Sequence, residues 1–465
     1  MSVVVLEEGH WHDPDSFTAR PPEMLARLYR DGGQTTTLGN PPIVLPLGRG
    51  AGGTTLVNSG TCFRTPPQVL ARWASDFGLQ LDERSLAPCF ERVEDALSVA
   101  EVTPELAGAN AAVARRGAER LGWSHGYLRR NARGCVGSGV CVFGCPTSAK
   151  QHTGITYLPR AQAAGALIVT GADVRQILVE SGRVRSVHAR TIGGGRLEVR
   201  ADRVVLAAGT VHTPLLLERS RIADRSGQRG RNLSLHPATA AFALMDETVD
   251  MARGVPQSFY VDEFAEEGIM FEGVAGPPAY AAMSLPLAGA RHRRAMADYR
   301  RLAQFGLMVS DRSRGRITSV AGRPLIRYDL CAEDLARFRT GLARMAELFE
   351  AAGAREVYLP LPDGVAPERA RPRDLRLMAF HPLGSARADA RSTHGVCDGH
   401  LAVHGISGLY LADGSVVPSA LGVNPQLTIM ALATRLAQGL LGIERLGSPA
   451  APQSQPPSEE STCRS

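Results

Sequence analysis

Two apolar runs that each end in an acid and a glycine indicate buried parallel strands. Residues 3–9 read VVVLEEG, and residues 408–414 read GLYLADG. Runs without polar alternation are typical of strands covered on both faces, and a glycine at the strand end lets the backbone approach a ligand. In a dinucleotide-binding unit, the acid that ends the second strand, here Glu7, holds the adenosine ribose. An ordinary edge strand is the other interpretation of residues 3–9.

Two segments in the C-terminal part have helical patterns. Residues 333–352 place their large apolar residues on one face, which predicts an amphipathic helix. Residues 426–441 are apolar on nearly every side, which predicts a buried helix. We expect Asn424 to be the N-cap of this helix and Pro425 its first helical residue.

Shorter alternating stretches predict an antiparallel sheet ahead of these helices. They are residues 238–245, 282–287, 305–309 and 325–328. Alternation of apolar and polar residues is typical of strands with one buried face. Together with the parallel strands, this predicts an α/β class, α+β overall, in which a Rossmann-like domain carries a second domain.

A glycine-rich loop lies at residues 48–58, GRGAGGTTLVN. Four glycines fall within six residues, at Gly48, Gly50, Gly52 and Gly53. Such a density serves a backbone that turns tightly and lies close against another surface. The two hydroxyl residues that follow, Thr54 and Thr55, are typical of the start of a buried helix.

A histidine near the second strand is the candidate for proton transfer. His381 stands in a short turn, HPLGS, whose Pro382 and Gly384 restrict the backbone. A histidine base, an amide such as Asn424 and a positive helix end suit abstraction of hydride from an alcohol by a flavin. A core helix beside a structural histidine is the other interpretation.

Three cysteines are crowded between Gly134 and Pro146, in GCVGSGVCVFGCP. The spacing C-x5-C-x3-C places Cys135, Cys141 and Cys145 on one irregular loop. Three cysteine ligands suit an iron–sulfur cluster, and a Cys-Pro end is typical of ferredoxin loops. Buried structural thiols are an alternative, and zinc, with His152 as a fourth ligand, is another.

Composition describes an ordinary globular protein of 465 residues, 44% hydrophobic and 21% charged. The net charge is +6, but the basic residues are scattered arginines, with Lys150 the only lysine, so we expect no nucleic-acid partner. No apolar run is long enough to span a bilayer, and the N-terminus carries no recognisable signal peptide. The cysteine usage fits a reducing compartment, so a cytoplasmic location is expected.

These motifs together resemble the glucose–methanol–choline (GMC) family of FAD-dependent alcohol oxidoreductases. The glycine-rich loop resembles the family's first signature, in the form found in the cholesterol oxidase branch. Residues 207–217 resemble the second signature, although residues 220–223 depart from its usual continuation. Residues 230–237, GRNLSLHP, and residues 378–438 resemble the later blocks in the family's order. The cysteine loop resembles FAD glucose dehydrogenases and long-chain alcohol oxidases.

The resemblance implies a role for each matching position. His381 would be the catalytic base and Asn424 would orient the substrate oxygen, as in the cholesterol oxidase and long-chain alcohol branches. The implied FAD-binding residues are Glu7, Gly48, Arg49, Gly50, Gly52, Gly53, Asn58, Val174, Ala208, Asp413, Gly414, Pro425 and Gln426. The partner would be a small-molecule alcohol substrate, and the low aromatic content, 5%, favours an apolar alcohol over a sugar.

The resemblance also divides the chain. The FAD-binding domain would comprise residues 1–235, including the cysteine loop, and residues 378–445. A substrate-binding domain would cover residues 236–377, and residues 446–465 would be a disordered tail. The family's first strand and its G-x-G-x-x-G loop find no match in this sequence. We therefore expect a Rossmann-like domain without its first β–α unit, and weak FAD binding.

Three functions remain open from the sequence. The first is FAD-dependent oxidation of an alcohol. The second is an inactive remnant that binds nothing tightly. The third is an electron-transferring dehydrogenase subunit with an iron–sulfur cluster, whose partner would be a quinone or an electron-acceptor protein.

Overall fold

The computed structural model describes residues 1–442, so the predicted tail lies outside the described residues. Their α-helices are α1 Pro21–Leu28, α2 Pro67–Phe77, α3 Glu83–Ala96, α4 Pro104–Leu121, α5 Thr153–Ala163, α6 Gly209–Arg219, α7 Pro278–Ser284, α8 Gly289–Ala297, α9 Ala332–Ala351 and α10 Gln426–Leu441. Their strands are β1 Val4–Glu7, β2 Ile43–Val44, β3 Val99–Glu101, β4 His125–Tyr127, β5 Arg129–Asn131, β6 Leu167–Thr170, β7 Ala172–Glu180, β8 Arg183–Thr191, β9 Arg196–Arg200, β10 Val204–Leu206, β11 Ala238–Leu244, β12 Phe259–Val261, β13 Ile269–Gly273, β14 Leu302–Val309, β15 Arg316–Val320, β16 Arg323–Arg327, β17 Glu356–Tyr358, β18 Leu377–Met378 and β19 Leu409–Leu411.

The two apolar runs form parallel strands, as predicted. β1 pairs in parallel with β6, and β19 pairs in parallel with β10. The two pairs are separate two-stranded sheets. Their carboxyl ends carry the acids Glu7 and Asp413, each followed by a tight turn. The mixed α/β class is therefore confirmed.

The larger sheet is antiparallel at its centre and has the order β2-β18-β11-β14-β13-β12-β4, with β17 paired to β11. β11, β14 and β16 confirm three of the predicted short strands. β2 and β4 come from outside residues 236–377, and β18 spans the second predicted boundary, so strands from both sides of the boundaries join this sheet. The domain boundaries themselves stay a prediction.

Two strand predictions were wrong. Residues 282–287 are not a strand, because an alanine-rich segment that begins with proline forms the short helix α7 instead. Residues 167–178, whose apolar pattern predicts a single strand containing Val174, form two strands, β6 and β7, separated by Gly171. Gly171 has a φ of 67°, which turns the chain out of the β1 sheet and into the β7-β8-β9 meander.

The predicted helices are present. α9 packs against α4 and β14, with Phe338 and Leu342 buried in the core. α10 begins at Gln426 and packs against α3 through one side, where Leu427 and Leu432 are buried. Its other sides are half-buried or exposed, so the prediction of a helix covered all round was wrong. None of the helices in residues 1–442 is both long and apolar enough to span a bilayer.

Candidate active site

His381 lies three residues beyond β18, where the chain leaves the large sheet. Its Nδ1 is 3.4 Å from Nδ1 of His236, and its Nε2 is 3.4 Å from Nδ2 of Asn424. Burial and the neighbouring His236 hold the pKa of His381 well below its ordinary value. The imidazole is therefore neutral at physiological pH and available for hydrogen bonding or proton transfer.

Asn424 is buried and contacts His381, as the proposed roles require. Its Nδ2 also donates to Oε2 of Glu272 at 3.3 Å, and its Oδ1 has no partner among the described residues. The N-cap position of α10 is occupied by Pro425, without a side-chain cap. The predicted capping role of Asn424 was wrong, because its amide turns away from the helix and toward Glu272 and His381.

Glu272 is the site residue that the sequence interpretation missed. It lies on β13, in the apolar run IMFEG, and its side chain is only 5% exposed. Oε2 also accepts a hydrogen bond from Nε2 of Gln257, whereas Oε1 has no partner among residues 1–442. Burial raises the pKa of Glu272 to about 7. A lone acid inside an apolar strand was the signal in the sequence.

His236 joins this group from the segment GRNLSLHP that precedes β11. Its side chain is fully buried, and its Nε2 accepts hydrogen bonds from the backbone N–H of Leu421 at 2.8 Å and Gly422 at 3.2 Å. We call His236, Glu272, His381 and Asn424 the tetrad. Its members come from four segments that are far apart in sequence, and the fold alone brings them together.

The glycine-rich loop lies against the end of β1, as the motif predicts. A Cβ placed on Gly9 would come within 2.6 Å of the Gly50 backbone, so both positions need glycine. Residues Gly53–Leu56 form a 3₁₀ turn rather than the predicted helix start. Gly48 and Gly52 are also closely packed, whereas a Cβ on Gly53 would meet no atom of residues 1–442 within 4 Å.

Charged residues surround this end of the loop. Oε1 of Glu7 accepts from the backbone N–H of Gly9 at 2.7 Å, and burial raises its pKa. The neighbouring Glu8 pairs with Arg30 and lies 3.9 Å from Nε of Arg49. At the carboxyl end of β1, Glu7 therefore bonds to the turn that follows the strand, whereas Glu8 faces Arg30 and Arg49.

At the far end of the loop, Asn58 contacts α10. Its Nδ2 donates to Oε1 of Gln426, and its buried Oδ1 has no partner among the described residues. Gln426 in turn donates from Nε2 to Sγ of Cys62 at 3.4 Å. Asn58 and Gln426, both predicted to bind the cofactor, are thus brought together beside Pro425.

The side chain of Asp413 is used by the protein itself. Oδ2 accepts from the backbone N–H of Gly209, the first residue of α6, at 2.9 Å, and Oδ1 accepts from Ser415 at 2.8 Å. A Cβ on Gly414 would lie 2.7 Å from Oγ1 of Thr210, so the β19 turn packs tightly against α6. Ala208 is exposed at the start of that helix.

Val174 lies on β7, where the pairing with β8 shifts register. Its backbone carbonyl accepts a hydrogen bond from Nη2 of Arg219 at 2.6 Å. This contact anchors the end of α6 to β7. The predicted role of Val174 in binding adenine stays a prediction.

The three crowded cysteines have separate environments. Nη2 of Arg130 donates to Sγ of the buried Cys141 at 3.2 Å, and the backbone of Lys150 donates to Sγ of Cys145 at 3.4 Å. Cys135 is half-buried. Within residues 1–442, no group of three or more His, Cys, Asp or Glu side chains is arranged to hold a metal ion. The structure therefore lends the iron–sulfur and zinc interpretations no support.

The only lysine of the chain connects this loop to the glycine-rich loop. Nζ of Lys150 donates to the carbonyls of Leu56, Asn58 and Cys141 at 2.7–2.8 Å. Its side chain is almost fully buried, and this burial lowers its pKa to about 8. Lys150 thus holds the segment that ends in Asn58 in place.

We expect Lys150→Met to lower the free energy of unfolding by about 3 kcal/mol or more, because three buried carbonyls lose their donor. Urea unfolding followed by circular dichroism measures this. The control is Arg133→Met, at an exposed position of the same loop, which should change stability by less than about 0.5 kcal/mol. Equal effects of the two substitutions would contradict a fixing role for Lys150.

Comparison with known proteins identifies the family to which this chain belongs. Models of the GMC oxidoreductase N-terminal and C-terminal domains match residues 25–238 and 311–433. The chain belongs to the GMC oxidoreductase family. An uncharacterised GMC-type oxidoreductase of Mycobacterium tuberculosis is 42% identical over 451 residues, covering 94% of this chain and 71% of the relative. A long-chain-alcohol oxidase of Arabidopsis thaliana is 28% identical, covering 93% of this chain and 63% of the relative.

Solved structures of GMC flavoenzymes share the fold. Pyridoxine 4-oxidase from Mesorbium loti superimposes with a TM-score of 0.74 at 19% identity, covering 95% of this chain and 94% of that chain. A variant of formate oxidase from Aspergillus oryzae gives a TM-score of 0.74 at 16% identity, with coverages of 95% and 93%. These structures support the fold, while the family models and the Arabidopsis relative make the protein a GMC flavin oxidoreductase related to long-chain-alcohol oxidases.

The residues of the site fit a flavin. Buried polar atoms without partners among the described residues, Oδ1 of Asn58, Oγ of Ser415 and Oδ1 of Asn424, lie along the family's motifs. Buried polar atoms normally have hydrogen-bond partners, and the polar edge of a bound ring would supply them. Gly9 and Gly50 approach each other so closely at the end of β1 that neither could carry a side chain. Without side chains there, the backbone can contact a ligand directly.

Proposed function

We propose that this GMC oxidoreductase oxidises an alcohol to an aldehyde or ketone with FAD as its cofactor. The observation that carries the proposal is the tetrad, in which an imidazole, an amide and a carboxylate meet beside the N-terminus of α10. When bound, FAD supplies the acceptor for the hydride of the carbinol carbon. The protein must then bind the hydroxyl oxygen and accept its proton.

The tetrad can perform both tasks. Nε2 of His381 and Nδ2 of Asn424 are 3.4 Å apart, so one oxygen atom can contact both. The hydroxyl proton has two candidate acceptors, His381 as the sequence predicts and the carboxylate of Glu272. The partial positive charge at the N-terminus of α10 favours negative charge that develops nearby.

The substrate we propose is an apolar alcohol with a long hydrocarbon chain. The support is the name of the Arabidopsis relative, a long-chain-alcohol oxidase, and the low aromatic content of the chain. Buried apolar residues also flank the tetrad, including Met270 on β13 and Leu421 and Val423 before Asn424. The proposal uses no iron–sulfur cluster, and a quinone or protein acceptor stays a prediction.

Anaerobic titration tests the proposal. The protein is saturated with FAD, mixed with primary alcohols of increasing chain length, and followed by the loss of oxidised flavin absorbance. We expect reduction that becomes faster with chain length. A flavin-loaded protein that no alcohol reduces, but that dithionite does reduce, would overturn the proposed function.

Replacing Asn424 by alanine removes a donor from the hydroxyl site without altering a helix cap. We expect a fall in kcat of about 10²- to 10³-fold, the usual effect of losing one such donor. The rate is expressed per bound FAD, because Oδ1 of Asn424 is one of the atoms that the flavin would contact. Thr434→Ala, on α10, where the Thr434 hydroxyl donates to the carbonyl of Met430, is the matched control and should retain kcat. Equal kcat in both variants would remove Asn424 from the mechanism.

A further inference from the structure

The segment between β13 and β14 carries a high local concentration of positive charge. Residues 274–301, which form α7 and α8, contain five arginines and a single acid, in a chain whose net charge is +6. Four of the five are exposed, namely Arg291, Arg293, Arg294 and Arg300. A surface that concentrates one sign of charge attracts partners of the opposite sign.

Two of the exposed arginines keep their charge available to an external group. Arg291 pairs with Asp363, and Nη2 of Arg300 lies 3.5 Å from Oδ2 of Asp250. Arg293 and Arg294, in contrast, have no ion pair within residues 1–442. The positive charge of α8 is therefore not neutralised by the part of the protein that the structure describes.

Apolar side chains lie between these charges on α8. The helix exposes Ala290, Arg293, Arg294 and Ala297, a spacing of i, i+3, i+4 and i+7 that places all four on one face. Ala295, on the other side of the helix, is buried. The exposed face of α8 is thus both basic and apolar, without an acid among its members.

Met283 adds a large exposed apolar side chain on α7. It is 65% exposed, and the exposed Ala279 lies one helical turn before it on the same face. Nε2 of His292 contacts the carbonyl oxygen of Ala282 at 2.9 Å and so joins α8 to α7 beside Met283 and Arg293. We call the exposed residues of both helices the α7–α8 face; they are Ala279, Met283, Ala290, Arg293, Arg294 and Ala297.

Contacts with the rest of the protein hold this face in position near the candidate active site. The hydroxyl of Tyr299 donates to the carbonyl of Gly276 at 2.6 Å, and the ring of Tyr280 packs against Phe143 with centroids 5.8 Å apart. α7 begins six residues after Glu272 of the tetrad. Six residues span about 20 Å at most, so the face lies close to the tetrad.

We propose that the α7–α8 face docks on the surface of a lipid bilayer that contains anionic phospholipids. Helices that mix arginine with apolar side chains bind at the headgroup boundary, where charges meet lipid phosphates and apolar groups enter the acyl region. Arg293 and Arg294 supply the charge, and Met283 supplies the apolar contact. A nucleic acid would match only the charge. The docking does not depend on the oxidation proposed above, although the long-chain alcohol proposed there partitions into the same bilayers.

Cosedimentation with vesicles tests the proposal. The 465-residue protein is mixed with vesicles of phosphatidylcholine alone, or of equal parts of phosphatidylcholine and phosphatidylglycerol. We expect binding to the anionic vesicles and none to the neutral ones. Added salt should weaken the binding, because it screens the attraction between exposed charges.

The double substitution Arg293→Gln and Arg294→Gln removes the charge of the face. An arginine near an anionic surface contributes about fivefold to binding, so the affinity for anionic vesicles should fall about 25-fold. The control is Arg196→Gln with Arg200→Gln, at two exposed positions of β9. It removes the same net charge from another surface and should change the affinity by less than about twofold.

Replacing Met283 by tryptophan reports whether the face enters the bilayer. Tryptophan prefers the membrane–water boundary, so the variant should bind anionic vesicles more tightly than the wild type. Its fluorescence, after subtraction of the wild-type spectrum, should shift to shorter wavelengths when the vesicles are added. Met283→Ser should bind more weakly than the wild type.

A wild-type protein that does not bind the anionic vesicles would overturn the proposal. Equal losses in the two double variants would also overturn it, because net charge and not this face would then account for binding. An unshifted emission, or equally tight binding to double-stranded DNA, would identify a general polyanion site instead of a bilayer site. None of these measurements needs turnover, so a protein that docks but oxidises no alcohol would contradict only the proposed function.

Discussion

Replacing His381 by alanine is expected to lower kcat for alcohol oxidation by about 10²- to 10⁴-fold, the usual contribution of a positioned acid–base or donor group. Nε2 of the imidazole lies 3.4 Å from Nδ2 of Asn424, so both can contact one hydroxyl oxygen. Loss of the imidazole removes a contact to the substrate oxygen but no contact of the glycine-rich loop. FAD content should therefore stay unchanged, as measured by absorbance after gel filtration.

The matched control for this substitution is His188→Ala. His188 lies on β8, where its half-exposed ring contacts Ser186 and Glu198, away from the tetrad. Its replacement should leave kcat within twofold of the wild type, a change of under about 0.5 kcal/mol. A His381 variant that retains the wild-type kcat with full FAD content would remove His381 from the mechanism.

The parts of the fold that the sequence predicts are those with a local cause. Continuous apolar residues produce β1 and β19, and the pattern at residues 426–441 gives the bounds of α10. α7 was missed because alternation in a six-residue stretch was weighed above the helix propensity of alanine. Gly171 was missed as a break, although glycine within a strand pattern often marks one.

The sequence predicted only those residues of the candidate site that lie in recognisable motifs. His381 and Asn424 were found from their local turns, but the amide of Asn424 was assigned to the helix because an N-cap is a local interaction. The structure shows a partner on β13 instead, and no local pattern could reveal that contact. His236 was noted as part of a motif, yet its role depends on Leu421 and Gly422, which lie far along the chain.

Lys150 and the cysteine loop also show that a local sequence pattern does not predict contacts between distant segments. The spacing of Cys135, Cys141 and Cys145 indicates a cluster only if the loop turns all three thiols toward one point. In the structure, Lys150 is buried beside this loop, and its Nζ donates to three backbone carbonyls. A spacing motif therefore predicts which residues share a loop, whereas the direction of each side chain depends on the segments packed around it.

The second large effect is expected at Glu272. Glu272→Gln keeps the shape of the side chain and its position beside Asn424 but removes the carboxylate that is one of the two candidate proton acceptors. We expect kcat to fall by about 10²- to 10⁴-fold. Glu347→Gln, at a half-exposed position on α9, is the control and should leave kcat unchanged.

The pH dependence of Glu272→Gln separates a chemical role from a packing role. Since the pKa of Glu272 is about 7, the ionised acceptor form increases as the pH rises through that value, and kcat/KM of the wild type should rise with it. The variant should lack this rise. A variant that loses activity but keeps the same pH profile would show that Glu272 only supports the packing around Asn424.

Stability provides an independent measurement of the same carboxylate. Folding raises the pKa of Glu272 from 4.5 to about 7, so the folded protein favours the protonated form. Stability is therefore lost as the pH rises from about 4.5 to about 7, by about 3 kcal/mol in total. Glutamine cannot ionise, so the variant should lack this loss and be more stable than the wild type at pH 8 in urea unfolding. Equal stability of the two proteins at pH 8 would mean that Glu272 ionises in the folded protein without cost, and its proposed function as a poised acceptor would then lose its physical basis.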